Sequence, residues 1–224
     1  AKYLLQQNPN VRIGVLFQND DLGKDYLQGL HRGLGAAARK HVVAEISYEV
    51  TDATVNTQVL QLKSAGIDAL ILAGTPKFVA QAIRRVGELE WKPQIVLTNI
   101  ANSFGTVIQP GGPQNAIGAI SAAYMKDPVD PSWTDDAGMR RWRAFMDKWY
   151  PAGDKTDVYN VTGYYIASFM HKLLEGCGND LTRENLMRVA ESAKNWQFDV
   201  LVPGIEVTTG PTDHGPIEQM QLMR

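Results

Sequence analysis

The run Val11-Arg12-Ile13-Gly14-Val15-Leu16-Phe17 is broken at once by Gln18-Asn19-Asp20-Asp21-Leu22-Gly23 and then by a helical pattern over 24–40. This constrains the fold more than any other stretch. A short apolar run ending in a polar, glycine-containing turn is a buried strand feeding a helix. The unit recurs twice, with residues 42–48 leading to 55–65 and residues 68–72 leading to 77–88. Strands alternating with helices of this length predict an α/β fold, a doubly wound parallel sheet covered on both faces. Ligands of such sheets gather at the carboxyl ends of the strands, where helix N-termini present backbone N–H groups. Function is therefore sought in the loops after Phe17, Leu72 and Leu97.

The rest of the chain extends this plan. A helix over 1–7 begins without an N-cap, so it is expected to arrive from an upstream segment; a fourth strand is predicted over 93–97. A Gly/Pro-rich turn at 109–113 leads to a fifth strand over 116–123. Thr and Asp residues in 50–54 are expected to cap the helix over 55–65, and Pro76 is expected in the first turn of the helix over 77–88. After Met125 the style changes: 126–133 has the composition of a surface crossing, and helices follow over 135–150, 158–175 and 182–194. Thr182 is the expected N-cap of the last, with Glu184 or Asn185 in its first turn. Two strands over 204–208 and 217–223 are predicted to close the chain as a hairpin around the turn 209–215.

Composition excludes several classes. A net charge of −2 offers no basic field to nucleic acid or anionic lipid. No stretch approaches the roughly 20 apolar residues of a membrane span. Ala1-Lys2-Tyr3-Leu4-Leu5-Gln6-Gln7 reads as a helix start rather than a leader, as a mature exported chain also would. The single Cys177 excludes an internal disulfide and a cysteine metal cluster, and reads as a small helix-end residue. His31, His41, His171 and His214 are scattered without metal-ligand spacing. Asp20, Asp21 and Asp25 sit at a helix start, where the dipole stabilises carboxylates without any further role. There is no GxGxxG, no GxxxxGK[ST] and no GxSxG, so no nucleotide cofactor and no serine hydrolase is expected. Asn160-Val161-Thr162 fits a glycosylation sequon but lies within an expected helix, and His214 reads as a turn residue beside Asp213.

Taken in order, these pieces resemble the solute-binding proteins of ABC transporters, and among them the branched-chain amino acid (Leu/Ile/Val-binding) family of type I periplasmic binding proteins. The match is carried by Arg12-Ile13-Gly14-Val15-Leu16 with Asn19-Asp20-Asp21-Leu22-Gly23-Lys24-Asp25, by Ala65-Gly66-Ile67-Asp68-Ala69-Leu70-Ile71, by Gly163-Tyr164-Tyr165-Ile166-Ala167 and by Thr212-Asp213-His214. By this resemblance the chain is a fragment without the first lobe. Residues 1–123 correspond to lobe two, 124–134 to a crossing, 135–200 to returning lobe-one helices, and 201–224 to the final crossing and closing strands.

The resemblance implies an extracytoplasmic receptor, periplasmic or lipid-anchored. It would bind a small organic solute between lobes, close by a hinge motion and signal a membrane permease, without cofactor or catalysis. The implied ligand contacts are Leu22, Thr75, Pro76 and Asn99 on lobe two, with Tyr159 as an aromatic wall. Amino acid binders of the family usually place a carboxylate near the Asn99 position to neutralise the ligand ammonium, and an aromatic at the Leu22 position. Asn99 and Leu22 therefore point toward an uncharged or carboxylate-bearing solute, unless Asp20 or Asp21 supplies the charge. The plainer reading of Asn99 is a loop residue bonding its own backbone. A ligand-sensing regulatory or receptor domain of the same fold is the alternative function. An enzyme would need a convergent acid–base pair, which the sequence does not show. The whole protein is expected to be a monomer. The fragment is expected to self-associate through uncovered apolar surface on 158–175 and 182–194.

Overall fold

The apolar run after Val11 forms β1 (Ile13–Gln18) in the computed structural model, which describes residues 1–224. With β2 (Val42–Tyr48), β3 (Ala69–Ala73) and β4 (Gln94–Leu97) it makes one parallel sheet in the order β2-β1-β3-β4. Gln18 pairs with Tyr48, Phe17 with Ala73, and Leu72 with Leu97, so the four carboxyl ends fall in one row.

Strand side chains alternate between faces, and the two cores separate accordingly. Ile13, Val15, Ala69 and Ala73 pack with Leu4, Leu30 and Leu34, which belong to α1 (Lys2–Gln7) and α2 (Asp21–Leu34). Leu16, Leu70 and Leu72 pack on the other face with Val59 and Leu62 of α4 (Asn56–Ser64) and with Val79, Ile83 and Val86 of α5 (Pro76–Glu88). This is the doubly wound arrangement the sequence predicts. Gly14 is part of it, because a Cβ there would run into the Ile67 side chain and come within 2.9 Å of Leu62.

Four local expectations are corrected. The helix expected over 24–40 starts at Asp21, because the Asp20 side chain caps it from the Gly23 N–H at 3.1 Å. It stops at Gly35, whose φ of 57° ends the α geometry; a short turn and α3 (Ala38–His41) follow. No Thr or Asp caps α4, since Asp52 instead accepts from the Glu49 N–H at 2.9 Å. The fifth strand shrinks to β5 (Ser121–Ala123), preceded by irregular helical turns over 104–115 that include α6 (Gln109–Gly111).

Residues 1–122 with 223–224 form one compact unit, and 123–222 a second. The second holds α7 (Ala137–Trp149), α8 (Val158–Cys177) and α9 (Arg183–Ala190), each started by a side-chain cap: Asp136, Asp157 and Thr182. Its core surrounds fully buried Trp142 and Met139 with Val161, Tyr165, Leu201 and Val207. Lys126, itself buried, bridges the Asp136 carboxylate at 2.9 Å and the Asp199 carbonyl at 2.7 Å.

The closing hairpin does not form. Val207 exchanges both backbone hydrogen bonds with Trp196, while Gly210 and Asp213 close a tight turn. The last strand, β6 (Gln221–Met223), pairs with β5. Pro203, Gly204 (φ 85°), Pro211 and Pro216 interrupt the intervening chain, and a ladder needs uninterrupted donors. No helix is long and apolar enough to cross a membrane.

Candidate ligand-binding site

The row of strand ends carries a polar network centred on Gln18, the buried last residue of β1. Its Nε2 donates to the Asp20 carboxylate at 2.5 Å. Its Oε1 accepts from the Tyr48 hydroxyl at 3.1 Å and from the Thr75 hydroxyl at 3.0 Å. The Thr75 backbone N–H in turn donates to the Tyr48 oxygen at 3.2 Å. A buried amide leaves no polar atom unpaired when joined this way, which fixes the ends of β1, β2 and β3 to one another. Burial pushes the Tyr48 hydroxyl pKa up, so it remains a protonated donor.

Two glycines make the network possible. A Cβ on Gly74 would collide with the Tyr48 hydroxyl, and one on Gly23 would collide with the Gln18 backbone. Glycine at these positions lets Tyr48 reach Gln18 and lets α2 start directly above the end of β1. Asp20 is held below the usual carboxylate range by the Gln18 hydrogen bond first, then by the N–H groups of Gly23 and Leu22. It is an occupied helix cap, with both carboxylate oxygens engaged.

One strand further along, Asn99 follows β4, and its Oδ1 accepts from the Tyr26 hydroxyl of α2 at 2.7 Å. This bond, rather than one to its own backbone, sets the side chain. The neighbouring Thr98 is buried, and its hydroxyl has no hydrogen-bond partner.

Of the residues named from the sequence, Thr75 is the N-cap position of α5 and Pro76 its first residue, both half-buried. Leu22 is the second residue of α2, also half-buried. These three and Asn99 belong to the first unit. Tyr159 belongs to the second unit, where it is the second residue of α8 and 44% exposed, with its N–H donating to Asp157. Sequence reasoning missed Gln18, Tyr48 and Tyr26. A polar residue ending a wholly apolar strand was the available signal for Gln18.

No group of three or more His, Cys, Asp or Glu side chains comes together as metal ligands would. A cavity of about 770 Å³ lies at the opposite, amino-terminal end of β4, between Val86, Trp91, Pro93, Ile95 and Ile117. It contains none of the residues of the carboxyl edge.

A doubly wound sheet with hydrogen-bonding groups gathered at its carboxyl edge has the arrangement in which α/β proteins commonly bind ligands. The sequence matches the family model described as periplasmic binding protein over residues 1–224, and the chain belongs to that family. The family is one of substrate-binding proteins, not enzymes. No curated protein matches the sequence. Among solved structures, a substrate-binding periplasmic protein from Ralstonia solanacearum is similar at 22% identity and a TM-score of 0.83, over 98% of this chain and 60% of its own. A branched-chain amino acid ABC transporter protein from Thermus thermophilus with bound valine matches at 14% identity and a TM-score of 0.82, over 99% and 59%. A fatty acid ABC transporter substrate-binding protein from Thermomonospora curvata matches at 22% identity and a TM-score of 0.79, over 99% and 56%. The chain thus spans about three-fifths of the length of these structures.

Proposed function

We propose that the chain is the larger part of an extracytoplasmic solute receptor serving an ABC importer, with residues 1–123 as one lobe and 135–200 as helices of the other. The receptor binds a small organic solute, amino acid-like or an aromatic or aliphatic carboxylate, and hands it to a membrane permease after hinge closure. The observation that carries this reading is the row of hydrogen-bonding side chains along the carboxyl edge of the sheet, in a chain of the periplasmic binding protein family. Leu22, Thr75, Pro76 and Asn99 are the contacts assigned to that edge, and Tyr159 is assigned as an aromatic contact from the other lobe. A ligand that binds only the folded chain raises its melting temperature by mass action. A thermal-shift panel of branched-chain amino acids, aromatic carboxylates and short-chain amides is therefore expected to contain at least one stabilising solute, with the shift lost in Asn99→Ala. A flat panel overturns the reading.

A further inference from the structure

We infer that the carboxyl edge of this sheet receives the uncharged hydrogen-bonding end of a solute, a carboxamide or hydroxyl group, and that an ammonium has no place there. This rests on the reading of that edge as a solute site.

An ionised carboxylate can only accept, so Asp20 orients the Gln18 amide with Nε2 toward itself. Oε1 then faces Tyr48 and Thr75, and a carbonyl oxygen can only accept, so both hydroxyls must donate to it. The Tyr48 oxygen also accepts the Thr75 N–H. With its one proton committed to Gln18, the Thr75 hydroxyl can offer a ligand only lone pairs. Asn99 is set the opposite way. Its Oδ1 takes the Tyr26 proton, which leaves the Nδ2 group as the donor. Leu72 and Leu97 are register partners on adjacent strands, and Thr75 and Asn99 follow them by three and two residues. One acceptor and one donor therefore stand at neighbouring strand ends.

A carboxamide or a hydroxyl both gives and takes a hydrogen bond, so it fits this pair. A carboxylate fits Asn99 but meets lone pairs at Thr75. An ammonium meets the N–H groups of Asn99, while the Asp20 carboxylate turns both its oxygens to Gln18 Nε2 and to the N–H groups of Gly23 and Leu22. A charged end of the solute must therefore face elsewhere.

The test is calorimetric titration of the chain with isosteric probes that differ only in their polar end. Amide, alcohol, carboxylate and amine are each presented on an isobutyl and on a benzyl skeleton. The amide or alcohol is expected to bind about tenfold or more tightly than the amine and the carboxylate of the same skeleton, about the worth of one hydrogen bond to a buried group. Asn99→Asp places a carboxylate at the donor position and is expected to reverse the order, making the amine the tighter ligand. Thr75→Val is expected to weaken the amide about tenfold while leaving the carboxylate unchanged. Circular dichroism melts establish that both variants fold. If the amine or the carboxylate binds the unaltered chain best, or if Asn99→Asp leaves the order unchanged, the inference fails while the solute-receptor reading stands. Should no probe bind at millimolar concentration, both fall.

Discussion

The carboxyl edge of the sheet and the outer face of α8 treat their side chains in opposite ways. Along the edge, the buried polar groups around Gln18 are matched, though the Thr98 hydroxyl is not: Gln18 uses both ends of its amide, and Tyr48 and Thr75 close the ring. On α8, apolar side chains lie in solvent. Ile166 is 59% exposed, and Met170, Leu174 and Tyr159 are 44% exposed each. Their spacing of 7, 4 and 4 residues from Tyr159 onward places all four on one helical stripe, beside Gly163, whose missing Cβ faces open space. Val161, Tyr165, Leu173 and Cys177 of the same helix are buried. A helix apolar on two faces is built for burial on both. The Gln18 network is thus closed within the first unit, whereas α8 buries only one of its two apolar faces.

The largest effects should come from the two cores and keep to their own units. Leu70→Ala and Trp142→Ala each remove a fully buried side chain and are expected to cost about 3–5 kcal/mol in urea unfolding. With no shared partners, the two costs should add in the double variant. Native-state hydrogen exchange sharpens this: Leu70→Ala should speed exchange in β1–β4, and Trp142→Ala in α7 and α8. Equal acceleration across the chain from either substitution would break the division into two cores.

Next in size is the pair of buried Lys126 and half-buried Asp136 at the start of α7. Asp136→Ala strips Lys126 of its counter-charge and α7 of its cap, and is expected to cost about 3 kcal/mol. The Asp136 carboxyl also makes stability depend on pH. Burial opposes its ionisation, but the Lys126 hydrogen bond and the Met139 N–H outweigh that and hold its pKa below the usual value. A depressed folded pKa gives stability that is present above the unfolded value of about 4 and lost as pH falls through the folded one. Urea midpoints should therefore drop between pH 5 and pH 2 in the native sequence, and by less in Asp136→Ala. An equal drop in both would remove this pair from the acid response.

A smaller loss is expected at the sheet edge. Gly74→Ala pushes a Cβ into the Tyr48 hydroxyl and should cost about 1–3 kcal/mol as Tyr48 gives way and Gln18 loses a partner. Tyr48→Phe in the same background separates the two causes, since it removes the hydroxyl that clashes. If the second change fails to recover part of the loss, the clash is not its source.

These residues also show what a sequence reader can and cannot see. β1 and β3 were legible because burial on both faces leaves a continuous apolar run, and Pro76 and Thr182 because first-turn proline and cap chemistry act locally. The strand ends that hold Thr75 and Asn99 were legible from topology alone. Gln18 and Tyr48 stand 30 residues apart and meet through the parallel register; Tyr26 and Asn99 stand 73 apart and meet because α2 folds back along the sheet. No local pattern carries such pairs. The predicted hairpin failed for the same reason, because the partner of residues 204–208 is Trp196, upstream, while Gln221–Met223 turns to β5.

The smallest effect on stability, and the most direct probe of the contrast between edge and helix, lies on α8. Ile166→Ser and Met170→Ser alter side chains already in solvent, so each should shift unfolding by no more than about 0.5 kcal/mol. The same changes should act strongly on association, because a contiguous apolar stripe in water lowers its free energy by meeting another. Light scattering of the chain at rising concentration is expected to show mass growing beyond the monomer, and the double variant should hold the monomer value over the same range. Gly163→Leu in the unaltered stripe should strengthen association, since its position is open and the added side chain enlarges the apolar face. A monomer at every concentration in the native sequence would mean that Ile166, Met170 and Leu174 are no more than scattered surface residues, and that the two regions differ less than their exposures suggest.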